Sequence, residues 1–183
     1  MAFGVVGMFD VALDIAVRSM WDELESRFGL GGVRAVPWPH VSFVVAGGWD
    51  RDAVERAIST NLPSMSATPV HLEPWVLFTG TSPMHPAIVR AAVRSRSIDR
   101  LHGAIAEVVP PLVQDPSPFT STDRWNPHVT VATRDLTSQS AGDVMAWFAE
   151  TNLSPWVGTI TRLACIEADV DQHRIVAEYE LRG

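Results

Sequence analysis

The chain has 183 residues, enough for one domain with a sizeable core or for two small fused lobes. Its 46% apolar and 19% charged residues exclude a disordered chain, and no stretch approaches the roughly 18 to 20 continuous apolar residues of a membrane span. The single cysteine, Cys165, excludes a disulfide framework and a cysteine-rich zinc site, and a net charge of −7 favours a small or short substrate over long nucleic acid.

Phe3 to Phe9 is a candidate buried strand: it is apolar, lacks the positive lead of a signal peptide and ends at Asp10. The expected location is the cytoplasm. Asp10 occupies a helix N-cap position, and Asp14 complements the dipole of the first turns. Leu13, Val17, Met20, Trp21, Leu24 and Phe28 recur at helical spacing, with Gly29 as the stop. Gly31-Gly32 opens a loop ending in Pro37-Trp38-Pro39, whose prolines keep the chain extended. A second strand runs from His40 to Ala46 and is turned by Gly47-Gly48. Asp50 or Asp52 then caps a helix with Val54, Ala57 and Ile58 inward, ended by Pro63.

Val70 to Thr79 reads as one long strand or two short ones broken near Pro74. Ala87 to Val93 fits a strand by the alternation of Val89, Ala91 and Val93, or a helix opened by Pro86. The arginines from Arg90 to Arg96 are available for a positive rim. Ser97 is placed to cap a third helix with Ile98, Leu101, Ile105 and Val108 on one face, stopped by Pro110-Pro111. Residues 110–127 carry five prolines and no periodic signal, which marks a long loop of the kind that often serves a site. A strand follows from His128 to Thr133, then a helix over Asp143 to Glu150 with Val144, Trp147 and Phe148 inward. Val157 to Val170 and Arg174 to Leu181 form a closing antiparallel pair with a turn near Asp171-Gln172, and Cys165 is a packing residue in the first of them.

Two stretches copy one another. Pro39-His40-Val41-Ser42-Phe43 and Pro127-His128-Val129-Thr130-Val131 each read proline, histidine, aliphatic, hydroxyl, apolar, with the histidines 88 residues apart. Strand alternation puts imidazole and hydroxyl on one face, about 7 Å apart at ~3.3 Å per residue, and the apolar partners on the other. The surroundings repeat as well. Thr60-Asn61-Leu62 begins 20 residues after His40 and Thr151-Asn152-Leu153 begins 23 after His128, followed by Pro63 and Pro155. This pattern predicts two similar α+β lobes about an approximate two-fold axis. The His40 and His128 strands are expected side by side, their imidazoles facing across one cleft.

Two His-x-Ser/Thr-x motifs in two βα-type halves resemble the two-histidine (2H) phosphoesterase superfamily. Within it they are most similar to the bacterial and archaeal 2′-5′ RNA ligase-like proteins, which also act as cyclic phosphodiesterases. The resemblance covers nearly the whole chain in element order and includes proline before the second motif, Pro127. It implies an α+β fold of two pseudo-symmetric lobes, each an antiparallel sheet with helices outside, enclosing a central cleft, with residues 1–183 as a single bilobal domain. It also implies catalytic roles for His40 and His128, with His128 as the base that activates water and His40 as the acid. Ser42 stands where threonine is commoner, keeping the hydroxyl without the methyl that fixes its rotamer. Several members carry a basic residue soon after the second motif; here Arg134 lies six residues after His128.

The residues suit hydrolysis of a 2′,3′-cyclic phosphate. Attacking water loses a proton and the leaving ribose oxygen gains one, and two imidazoles of ordinary pKa ~6.5 can hold these roles near neutral pH. Ser42 and Thr130 can donate to the non-bridging phosphate oxygens, where negative charge is concentrated. No metal or other cofactor is called for. Trp38 and Trp125 are candidates to stack on a base, a contact of ~1–3 kcal/mol, or else cover the edge of the core. Arg124 and Arg134 are candidate phosphate anchors, or surface salt-bridge partners. His71, His85, His102 and His173 read as structural. The expected activity is metal-independent hydrolysis of cyclic phosphate ends of nucleotides or RNA. Alternatives on the same fold are a 2′-5′ RNA ligase or 2′-5′ phosphodiesterase and a hydrolase of a cyclic phosphate derived from ADP-ribose; outside enzymes, a non-catalytic nucleotide-binding module. The expected partner is a nucleotide or short RNA end, with no membrane, and the chain is expected to be a monomer.

Overall fold

The computed structural model describes residues 2–79, 85–151, 153–168 and 173–183. Strand β1 (Ala2–Phe9) leads into helix α1 (Val11–Phe28), strand β2 (His40–Trp49), helix α2 (Arg51–Asn61) and strand β3 (Thr68–Phe78). Strand β4 (Ala87–Ala92), helix α3 (Arg96–Val108), the short strand β5 (Val113–Pro116), strand β6 (His128–Thr133), helix α4 (Ser138–Glu150), strand β7 (Trp156–Ala168) and strand β8 (His173–Glu180) follow. The turn expected at Asp171-Gln172 and the repeated Asn152 lie outside the described residues.

Local chemistry explains most of these boundaries. One Asp10 carboxylate oxygen accepts from the Leu13 N–H at 2.9 Å and caps α1; the other accepts from the Thr159 N–H at 2.6 Å and ties the helix to β7. Gly29 closes α1 in the left-handed region, φ 69°. Asp50, not Asp52, caps α2 by accepting from Ala53 N–H at 3.0 Å. Ser95 rather than Ser97 caps α3, because its own hydroxyl accepts from Ile98 N–H. Helix α4 starts five residues before Asp143, since Thr137 and Ser140 cap each other reciprocally. Ala87–Ala92 is a strand, and Pro74 marks an irregularity within a single β3.

Two expectations fail for a shared reason. The chain does not turn at Gly47-Gly48: β2 continues to Trp49, and Ala46, Gly48 and Trp49 pair with β5, which lies inside the stretch that reads as a loop. The glycines leave room for this edge strand. A Cβ on Gly48 would sit 3.2 Å from Gln114 Oε1, and one on Gly47 would sit 3.4 Å from Asp115 Cβ.

The described strands form one antiparallel sheet in the order β5-β2-β1-β7-β3-β4-β6, with β8 paired to β7. Element order divides it into β1-α1-β2-α2-β3 and β4-α3-β6-α4-β7. The last strand of each half crosses to the other: β7 lies beside β1 and β3 beside β4. Read inward from β2 and from β6, the order is motif strand, first strand, borrowed strand. The strands β2 and β6 are therefore at opposite ends of this pattern rather than side by side, and the sheet curls until their Cα atoms come within 8 Å.

The main core lies between one face of the sheet and the helices. Val5, Phe9, Val41 and Phe43 pack there with Leu13, Val17, Trp21, Leu24, Ile98 and Ile105, each worth about 1.5–3 kcal/mol when fully buried. Gly7 is glycine because Phe43 and Ile160 occupy its side-chain space, with atoms 2.8 Å from a built Cβ. Gly7→Ala is expected to destabilise the protein by about 1–3 kcal/mol through overpacking, read as a lower midpoint in urea; an unchanged midpoint would show that Phe43 yields freely.

The Arg90–Arg96 stretch makes no continuous rim. Arg90 faces the core, 2% exposed, with its guanidinium 4.6 Å from the Trp75 ring and 4.4 Å from the Trp156 ring. It donates to Ser154 O at 2.7 Å, and burial pushes its pKa down to about 10. Arg94 pairs with Asp99. No described helix is long and apolar enough to cross a membrane.

Candidate active site

The two motifs have the same geometry. Along His40–Val44 and His128–Ala132 the burial pattern is identical: histidine and hydroxyl half-buried, the three others buried. Each strand carries a bulge just after the hydroxyl residue, Phe43 in β2 and Val131 in β6, which has no partner in the neighbouring ladder. A bulge bends its strand and re-aims nearby side chains, which explains why Phe43-Val44 and Val131-Ala132 are both inward despite the two-residue period.

Each histidine is oriented by its own backbone. His40 Nδ1 lies 2.7 Å from Trp38 O and His128 Nδ1 lies 2.7 Å from Asn126 O. A carbonyl can only accept, so Nδ1 carries the hydrogen and Nε2 is the nitrogen free to exchange a proton. The prolines serve this arrangement. Pro39 and Pro127 hold the preceding residue extended and bring no N–H of their own, which keeps the two carbonyls beside the rings.

Tryptophans from the opposite halves brace the motif strands. Trp125 Nε1–H donates to Ser42 O at 2.8 Å, and Trp21 Nε1–H donates to Thr130 O at 3.1 Å. Both carbonyls lie on edges without a neighbouring strand at that level, so the indoles satisfy groups that would otherwise stay open. Trp125 is backed by His102, stacked at 3.9 Å and 9°. His102 is fully buried and its Nε2 bonds Thr120 O at 2.9 Å.

Electrostatics favour neutral imidazoles. Burial holds His40 below its ordinary 6.5; the Trp38 carbonyl offsets part of this, and the charges of His128 and His173 add to the lowering. Burial likewise lowers His128, with the Asn126 carbonyl opposing. His102 is lowered by burial, against the Thr120 carbonyl. An unfolded chain takes up protons at His102 near 6.5 while the native state resists, so stability present above that value is lost as pH falls through it. Acidification from pH 7.5 to 5.5 is expected to lower the melting temperature, and less so in His102→Gln; equal slopes would remove His102 as the cause.

A cavity of about 130 Å³ opens beside His40, lined among others by Trp21, Trp38, Thr130, Thr133 and Arg134. It is smaller than the ~300–1,000 Å³ of whole-ligand pockets and suits one group of a larger ligand. Phe78 stands edge-on to His128, 5.1 Å between ring centres.

Residues 12–172 match the family profile of the 2′-5′ RNA ligase superfamily. The chain belongs to the 2′-5′ RNA ligase superfamily. The fold agrees. The crystal structure of TT0787 of Thermus thermophilus superposes with a TM-score of 0.63 at 12% identity, covering 100% of this chain and 99% of that one. The crystal structure of E. coli LigT complexed with 3′-AMP gives 0.57 at 13%, covering 98% and 96%. Compared with curated protein sequences, the chain has no match.

Within this superfamily member the expected site residues separate. His40, Thr130, Trp38 and Arg134 line one cavity, and Ser42 lies on the same face of β2 as His40. Trp125 is not available to stack on a base: it is 5% exposed, His102 covers one face and its N–H is engaged by Ser42 O. Arg124 is exposed over the Phe119 ring at 5.4 Å and is not among the cavity-lining residues. Sequence reasoning missed Trp21, which helical spacing identifies only as core. Its signal is chemical: a buried indole N–H requires an acceptor.

Proposed function

We propose that this superfamily member hydrolyses 2′,3′-cyclic phosphate ends of nucleotides or RNA by metal-independent acid–base catalysis between His40 and His128. The observation that carries the reading is the matched pair of Nδ1 contacts at 2.7 Å, which frees the same nitrogen of both imidazoles. His128 Nε2 takes a proton from the attacking water as the new P–O bond forms. His40 Nε2–H gives a proton to the ribose oxygen as its bond to phosphorus breaks. Ser42 and Thr130 hydroxyls donate to the non-bridging oxygens. The 3′-AMP complex of the structurally similar LigT supports a nucleotide as the ligand. We further propose that residues 1–183 act as one bilobal unit built from an internal repeat, a reading supported by the mirrored strand order.

The test is hydrolysis of the four 2′,3′-cyclic mononucleotides in EDTA from pH 4.5 to 9, with products resolved as 2′- or 3′-phosphates. The base works above its pKa and the acid below its own. Both imidazoles are held below 6.5, so kcat/KM is expected to be bell-shaped with its maximum on the acid side of that value. A single regioisomer is expected. A flat profile, or activity abolished by EDTA and restored by zinc or manganese, would overturn the mechanism.

A further inference from the structure

We infer that Phe119 and Arg124 form a stacking platform for the nucleotide that precedes the cyclic end of an RNA strand, Phe119 taking its base and Arg124 a backbone phosphate. The inference rests on the phosphoesterase reading above and specifies its substrate: a short RNA end rather than a bare cyclic mononucleotide.

Phe119 is an exception among the phenylalanines of this chain. It is 51% exposed, whereas the others are buried or half-buried. A slack loop does not explain this, because the residues around it are pinned. Ser117 N–H donates to Val45 O at 2.8 Å, and Ser117 O accepts from the Thr120 N–H at 3.0 Å and from its hydroxyl at 2.6 Å. Thr120 O in turn accepts from His102 Nε2 at 2.9 Å, and Thr122 O accepts from Arg94 at 3.3 Å. The ring is held out in the open on an ordered support, which lowers the entropic cost of binding to it. That support continues from the motif strand. The edge strand β5 pairs with β2 as far as Ala46, and the chain then follows the same edge from Ser117 to Trp125, whose indole meets Ser42 O. Val45 is the next outward residue of β2 after Ser42 and is 41% exposed. It lies within about 10 Å of strand from Ser42, a span that the nucleotide next to the cleaved end covers.

The chemistry of the pair suits single-stranded nucleic acid. The Arg124 guanidinium lies over the Phe119 ring, 5.4 Å from its centre, and half of the phenylalanine surface stays open to a second partner. Among the described residues Arg124 has no carboxylate within ion-pair distance, although the chain carries a net charge of −7. Asp123, next to it, is engaged by Ser121 and by backbone N–H groups of its own turn. An unpaired cation attracts a phosphodiester, and an open aromatic face stacks a base of any identity. The acidic balance of the chain disfavours a long strand, so the platform serves a short end.

The experiment compares hydrolysis of adenosine 2′,3′-cyclic phosphate with that of the adenosine dinucleotide ending in a 2′,3′-cyclic phosphate, in EDTA, by the intact protein. Wild type, Phe119→Ala, Phe119→Trp and Arg124→Gln are assayed. Neither side chain belongs to the core, and the mononucleotide is the reference within each variant. Wild type should favour the dinucleotide by about 5- to 100-fold in kcat/KM, the range of one base–aromatic stack, and through KM rather than kcat. Phe119→Ala should bring that ratio towards one, and Phe119→Trp, which keeps an aromatic face, should retain it. In Arg124→Gln the ratio should fall and lose its dependence on salt. Equal kcat/KM of wild type for the two substrates, or a ratio unchanged in Phe119→Ala, would overturn the inference and leave the phosphoesterase reading standing. Turnover of neither substrate would overturn both.

Discussion

His40→Ala and His128→Ala are each expected to lower kcat for a cyclic nucleotide by about 10²–10⁴-fold, the contribution of one positioned acid or base. Both rings are half-buried and each makes a single hydrogen bond, to a carbonyl two residues back. On the proposed mechanism their removal deletes a proton carrier, and it does so without opening the core, so melting temperatures should fall only slightly. The two losses should not add, because water attack and leaving-group departure belong to one displacement and neither proceeds well without the other. The double variant should be little worse than the poorer single one. The pH profile gives an independent check. With His128 gone, the limb that requires a neutral base should disappear; with His40 gone, the limb that requires a protonated acid should disappear. Steady-state rates in EDTA decide the matter: more than a tenth of wild-type kcat in either single variant would remove that histidine from the chemistry.

The second large effect concerns the tryptophan braces. Trp125→Phe and Trp21→Phe keep an aromatic ring but leave Ser42 O or Thr130 O without its donor. An unsatisfied, partly buried carbonyl costs about 1–3 kcal/mol, so both variants should unfold at lower urea. The functional loss should be larger than the stability loss implies. Ser42 and Thr130 sit next to the bulges that aim the motif side chains, and a displacement of about 1 Å at a catalytic group can cost ~10²-fold. We expect kcat to fall roughly 10- to 100-fold by this positional argument, with KM changed little. A fall in urea midpoint with kcat intact would show that the indoles support the fold but do not position the catalytic strands.

The histidine and hydroxyl alternation in both motifs was legible because a strand has a two-residue period and the apolar partners of His40 and His128 obey it. The braces were not legible. Trp21 lies 109 residues from Thr130 and Trp125 lies 83 from Ser42. No local spacing relates an indole to a carbonyl at that separation. Trp125, three residues before His128, read either as a base-stacking candidate or as cover for the edge of the core; burial against His102 decides for the second. The bulges at Phe43 and Val131 also escaped, since an unpaired residue is defined by the partner strand and not by its own identity.

By itself the sequence determined the elements governed by nearest neighbours: the Asp10 cap, the Gly29 stop, the apolar faces of α1 and α3, and the strand alternation that sets each imidazole on the same face as its hydroxyl. These depend on hydrogen bonds and side-chain periods within a few residues. Only the tertiary structure decided that β3 and β7 exchange halves, that β2 and β6 meet across a curled sheet instead of pairing, and that Arg134 and Thr130 line one cavity with His40. Those arrangements depend on which edges find partners and on how far the sheet twists, quantities set by the packing of the whole chain.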